Sequence, residues 1–183
     1  MRDGSVIDGM RWCLSHRADP EAKKLADRHY NRQKPHSPQF VPPGSCLVLL
    51  SDCGRAFWVT SVPKAEFVRH AWAGAWVCSA FRNEGAGRAS DLIRQAVAAT
   101  LARYGEPPAL GMVTFVDRRK VRPTKVRGMD VWGWTYRRAG FRECGETKGG
   151  LLALQLLPGD MPEPTPAHHV SLMSLPLFRQ CAV

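Results

Sequence analysis

Two stretches of this chain have residue types and spacing suited to chemistry on anions. In FRNEGAGRASDLI, Phe81 to Ile93, an apolar run from Ala75 to Phe81 enters a turn with glycines at 85 and 87, and Arg88 to Arg103 reads as a helix. A strand, a glycine turn and a helix start together make a phosphate cradle. Glycine lets backbone N–H groups turn inward, and the helix N-terminus adds positive partial charge. A tight strand-to-helix turn also needs glycine for its own geometry, so that plainer reading stands beside the cradle. The second stretch is Asp117 to Arg127, DRRKVRPTKVR, which holds six basic residues, Arg118, Arg119, Lys120, Arg122, Lys125 and Arg127, against one acid. With Arg137, Arg138 and Arg142 following, this is a footprint for nucleic-acid phosphates, or else a solvated basic loop.

Composition agrees with a polyanionic partner. Lys and Arg number 26 against 16 Asp and Glu, giving a formal net charge of +10 and a pI near 9.8, which favours polyanions and equally suits a soluble basic surface. With 183 residues, 44% hydrophobic and 23% charged, the chain has room for one core and is not disordered throughout. Six cysteines, at 13, 46, 53, 78, 144 and 181, include no C-x-x-C pair, so neither a zinc knuckle nor a disulfide framework is indicated, and reduced thiols are expected. No apolar h-region opens the sequence and no run approaches a membrane span. The expectation is an intracellular protein with no membrane partner.

The elements that must position these stretches follow from local signals. Asp19-Pro20-Glu21 starts a helix, with an N-cap aspartate, proline at the first helical position and an acid in the first turn, and the helix is predicted to reach Tyr30. Asn31 to Gly44, with four prolines, is a long loop. Cys46 to Leu50 and Ala56 to Thr60 flank Asp52-Cys53-Gly54-Arg55 as a hairpin. Pro63 to Trp72 suggests a short helix, and Trp76 to Phe81 the strand entering the glycine turn. In the helix after it, Ala89, Leu92, Ile93, Ala96, Val97, Thr100 and Leu101 form one buried face. Leu110 to Val116 is the next strand, parallel to the last because a helix crosses between them. A shorter helix over Asp130 to Ala139 and a strand over Gly150 to Leu156 complete a domain of residues 1–157, and residues 158–183 form a Pro-rich tail expected to be mobile.

Arg82 to Gly87, R-N-E-G-A-G, matches the [RQ]-x-x-G-x-[GA] signature of GNAT acyltransferases. The element order and Tyr136 to Phe141, which resembles the family's Y-x-x-x-G-F segment, agree with it. The resemblance implies an α/β (α+β) GNAT fold, a central mixed sheet with an antiparallel hairpin and a parallel pair at the coenzyme A site, flanked by helices. It also implies acetyl-CoA or CoA held by Arg82, Gly85, Ala86, Gly87 and Arg88, and Tyr136 as the acid that protonates the departing thiolate. Tyr136 is also readable as a half-buried aromatic before a helix-terminating glycine, and the basic loop as a grip on CoA phosphates. The strand Trp76 to Phe81 lacks the Glu or Asp that serves as general base in many amine-acetylating members.

A narrower resemblance covers about His16 to Pro158. Asp27 to Arg32, DRHYNR, then Ser37 to Gly44, SPQFVPPG, then FRNEG, SDLIRQAV, GMVTFVD and GFRECGETKGGLLALQLLP are similar to the phage-encoded Mom DNA-modification family. That family implies conversion of adenine in double-stranded DNA to N6-carbamoylmethyladenine, which shields phage DNA from restriction in the cytoplasm of the infected host. It implies His29, Tyr30, Ser90 and Asp117 as site residues beside Tyr136, and iron held by His29, Tyr30 and Asp117. Those donor types suit iron, but adjacent helical residues point about 100° apart, so His29 and Tyr30 can share a site only where the helix has ended. Read without the resemblance, His29 is an ordinary helix C-terminal histidine, Asp117 a loop cap and Ser90 a first-turn residue.

Chemistry at N6 requires the adenine to be flipped out, and Trp132 and Trp134 are candidates to stack on it, with buried packing expected of at least one. Two rival functions stay open. One is an acetyl-CoA-dependent N-acetyltransferase acting on a protein or small amine, and the other a non-catalytic DNA-binding protein on a GNAT-like scaffold. A homodimer also stays open.

Overall fold

The computed structural model describes residues 9–41, 44–63, 68 and 70–169. Its centre is a mixed sheet of seven strands: β1 (Trp12–Ser15), β2 (Ser45–Ser51), β3 (Ala56–Val62), β4 (Trp76–Asn83), β5 (Met112–Val116), β8 (Arg142–Glu146) and β9 (Leu152–Leu156). They lie in the order β1-β2-β3-β4-β5-β9-β8. Among the neighbouring pairs of this sheet, β4 and β5 are parallel and the rest antiparallel. The parallel pair is the one joined through helix α2 (Ala89–Tyr104), as a crossover connection requires. The fold is therefore mixed α+β, dominated by the sheet. No helix among the described residues is long and apolar enough to cross a membrane.

Both sheet faces are covered, which explains the unbroken apolar runs of the central strands. Leu47, Leu49, Trp58 and Trp76 pack against Leu92, Ile93, Ala96 and Val97 of α2. On the opposite face Val48, Phe57 and Val59 meet Ala22, Leu25 and Ala26 of helix α1 (Pro20–Asp27) together with Val41 from the Pro-rich loop. Asp19 caps α1 as expected, its carboxylate accepting from the N–H groups of Glu21 and Ala22. The polar groups beneath α2 are satisfied. Trp58 Nε1 donates to Thr60 Oγ1 (2.7 Å), which meets Thr100 Oγ1 (2.8 Å).

Helix α2 is buried beyond its expected face, because Ala98 and Ala99 are also inside. The Pro-rich segment expected to be mobile supplies the cover. Thr165 N–H donates to the Ala98 carbonyl, and His168 makes a parallel bridge to Cys13 of β1 through Leu14 N–H to His168 O and His168 N–H to Trp12 O, each 2.8 Å. Residues 170–183 of the tail lie outside the described ones, as do 64–67 and 69 of the expected Pro63–Trp72 helix.

Two other expectations need correction. Helix α1 stops at Asp27, with Arg28 as its C-cap, short of Tyr30. Between Asp117 and Ala139 the chain forms a two-stranded ribbon, β6 (Thr124–Val126) and β7 (Met129–Val131), and only Trp134–Arg138 is helical, as α3. Arg127 and Gly128 join the ribbon, both at positive φ (49° and 82°), the conformation of a two-residue hairpin turn. Gly133, also at positive φ (66°), starts α3, so a helix cannot run back through it to Asp130.

Candidate active site

Strands β4 and β5 pair only from Trp76–Met112 to Cys78–Thr114. Beyond that point β4 stays with β3 out to Asn83, while β5 stays with β9. The two strands separate, and the gap at their C-terminal ends is where a parallel pair offers backbone groups and side chains to a ligand. A cavity of about 390 Å3 fills it, lined among others by His29, Tyr30, Arg82, Arg122, Trp134 and Tyr136.

The early end of α1 puts the His-Tyr pair there. His29 N–H still bonds back to Ala26 O (3.0 Å), but the chain has left the helix, and the two rings lie side by side with centroids 4.6 Å apart. Asn31 fixes the imidazole: its Oδ1 lies 2.5 Å from His29 Nδ1, and its Nδ2 donates to Ser79 O (2.9 Å). Tyr30 Oη donates to Phe115 O (3.3 Å), tying the pair to β5. From the other wall Tyr136 Oη approaches Cys78 Sγ at 3.6 Å.

Burial sets the protonation of this cavity. Desolvation pushes Tyr30 and Tyr136 up, and carries the Cys78 thiol to about 12, so all three keep their protons at neutral pH. Desolvation moves His29 the other way, below its usual value, which leaves a neutral imidazole at neutral pH. The lining thus offers a neutral base, protonated hydroxyls, the aromatic surfaces of Phe81 and Trp134, and the cations Arg82 and Arg122.

Of the remaining expected residues, Asp117 stands beside Tyr30 but outside the lining. Ser90 is buried in the first turn of α2, its hydroxyl 3.4 Å from Asp91 Oδ1, and is not in the lining. Asp117, 7% exposed, is clamped by its own loop. Its Oδ1 accepts from Arg119 N (3.0 Å) and Nε (2.9 Å), and its Oδ2 from Nη2 (3.1 Å). That guanidinium holds the carboxyl below its usual range. Arg118 pairs with Glu146 and Lys125 with Asp130. Of the two tryptophans, Trp132 donates to Val121 O (3.1 Å) and packs on the core, whereas Trp134 faces the cavity.

Neither implied cofactor fits the residues as they stand. For iron, His29, Tyr30 and Asp117 lie near one another, but both oxygens of Asp117 are taken by Arg119. For a CoA pyrophosphate, the glycine turn is already filled from within. Asn83 Oδ1 accepts from Gly85 N (3.1 Å) and Ala86 N (2.9 Å), and Asn83 Nδ2 donates to Gly87 O (2.8 Å). Arg82 donates to Glu84 (2.6 Å) and to Arg28 O (2.8 Å), and Arg28 adds a two-pronged grip on the same carboxylate. The two guanidiniums hold Glu84 ionised down to about 2, so Arg28 and Arg82 are both occupied by that carboxylate. Arg88, the N-cap of α2, makes no side-chain cap bond.

Sequence reasoning missed Asn31, which reaches His29 from two residues away, and Cys78 and Thr114, which become neighbours of Tyr136 only through the sheet. Asn83 carried a readable signal, since Asn two residues before a glycine is a side-chain-to-backbone turn former. Compared with known proteins, the chain matches no family model, no curated protein and no solved structure.

Proposed function

We infer that the chain is a DNA-modifying transferase of the Mom type on a GNAT-like scaffold, which takes an adenine flipped from double-stranded DNA and adds a carbamoylmethyl group at N6. One observation carries this reading: the cavity between the parting strands opens at the base of the ribbon in the basic loop, where Arg122, two residues before β6, and Thr124, its first residue, line the cavity. A site reading DNA needs cations for phosphates outside and aromatic surfaces for an unstacked base inside. The parallel strands parting beside a glycine turn and crossover helix support the GNAT-like part.

Roles follow from the protonation states. His29 is the group to take the proton that N6 loses as N6 attacks the methylene carbon of an activated carbamoylmethyl donor, whose leaving group departs with the bonding pair. Tyr30, Tyr136 and Cys78 act as neutral donors and walls, and Trp134 stacks on the base. Asp117 positions the loop through Arg119. The closed glycine turn gives no support to an acetyl-CoA-dependent acetyltransferase.

The test is nucleoside mass spectrometry of DNA from cells expressing the parent chain or His29→Ala. The expected result is a carbamoylmethylated deoxyadenosine in the parent and its loss in the variant. Unmodified DNA from cells containing folded, soluble parent protein would overturn the reading.

A further inference from the structure

The β6–β7 ribbon has two unlike faces. In the register Thr124–Val131, Lys125–Asp130, Val126–Met129, side chains alternate across the ribbon. Thr124, Val126, Met129 and Val131 therefore share one face, and Lys125 and Asp130, an ion pair of 2.9 Å, hold the other. Thr124 lines the cavity, so the apolar face is continuous with it. Met129 stands at the outer end of that face, 65% exposed, about two residues or roughly 7 Å beyond the cavity rim. Beside it the turn carries Arg127.

A large apolar side chain held in solvent next to a cation, beside a two-residue turn that fixes its direction, matches the device by which DNA-distorting proteins unstack a base step. Resting on the DNA reading above, we propose that Met129 is a wedge. It enters the duplex beside the target adenine while Arg127 lies on a flanking phosphate. The extruded base then passes along Val126 and Val131 to the cavity floor. The occupant of the apolar ribbon face is thus duplex DNA, and the surrounding positive charge is the complement that selects it.

The experiment uses the full chain, a linear duplex of mixed sequence, and permanganate, which oxidises thymines that have lost their stacked partner and so needs no knowledge of sequence context. Parent protein is expected to create reactive thymines. In Met129→Ala this reactivity should fall about tenfold while DNA affinity stays within about threefold, because the cations that hold the phosphates remain. Met129→Leu should restore it. Met129 is exposed, so a matching thermal midpoint shows that the alanine variant is folded. Reactivity in Met129→Ala equal to that of the parent, or DNA binding by the parent without reactive thymines, overturns the wedge alone. Failure of the parent to bind DNA overturns the wedge together with the DNA reading beneath it.

Discussion

His29 and Glu84 are tuned in the same direction by opposite means. Burial lowers His29 below 6.5, so the unfolded chain binds a proton there before the folded one does. Stability from this group is full above the unfolded value and is lost as pH falls through the lower folded value. If the neutral imidazole is the base, DNA modification should hold steady from about pH 8 to below 6.5 and drop only beyond, in initial rates measured across that range. Glu84 is lowered from 4.5 to about 2 by Arg28 and Arg82. Its contribution is present above 4.5 and disappears as pH falls through about 2. Glu84→Gln should therefore melt earlier than the parent near neutrality and converge with it near pH 2. A constant gap in melting temperature across that window would show that the two arginines do not stabilise the ionised form.

Elements place these residues, and their cost can be measured one at a time. Asp19→Ala removes the cap of α1 and the bond from Ser15 Oγ (2.6 Å), and should cost about 1 kcal/mol in urea unfolding. Gly111 is stricter. At φ 61°, a Cβ there would stand 2.1 Å from the Leu156 carbonyl oxygen, so Gly111→Ala must push β5 from β9 and should cost more than about 2 kcal/mol. Parent-like midpoints in either variant would remove the argument for that position. These are also the parts that sequence expressed well. The Asp-Pro-Glu start, the hairpin around Asp52-Cys53-Gly54-Arg55 and the strand, turn and helix from Trp76 are set by local preferences, and each occurs where expected. Strands β1, β6, β7 and β8 were illegible for the opposite reason. TKV, MDV and RECGE are short and polar and become strands only because a partner edge is present. In the site, His29 with Tyr30 and the tyrosine at 136 were legible by resemblance. Their meeting across the cavity depends on where β4 and β5 part, which no local pattern states.

At the scale of the whole molecule, charge decides which basic residues can serve DNA. Arg118 and Arg119 are engaged with Glu146 and Asp117, and Lys125 with Asp130, whereas no ion pair is formed by Lys120, Arg122 or Arg127 among the described residues. Changing those three to alanine should reduce the slope of log affinity against log salt by about 2 to 3, close to 0.9 for each phosphate left without its cation. An unchanged slope would move the DNA surface elsewhere.

The bridge from His168 to β1 has a consequence for solubility. An open sheet has two rims, and an uncovered rim of unpaired N–H and C=O groups recruits other chains. Here one rim, β1, is sealed by the chain's own Pro-rich segment, whose prolines offer no N–H for a further strand to join. The other, β8, carries Arg142, Glu143 and Glu146 and an irregular register at Gly145. The segment after Leu157 is in this sense a selvedge, the woven border that keeps cloth from fraying, and a chain cut there should self-associate through β1 while its sheet stays intact.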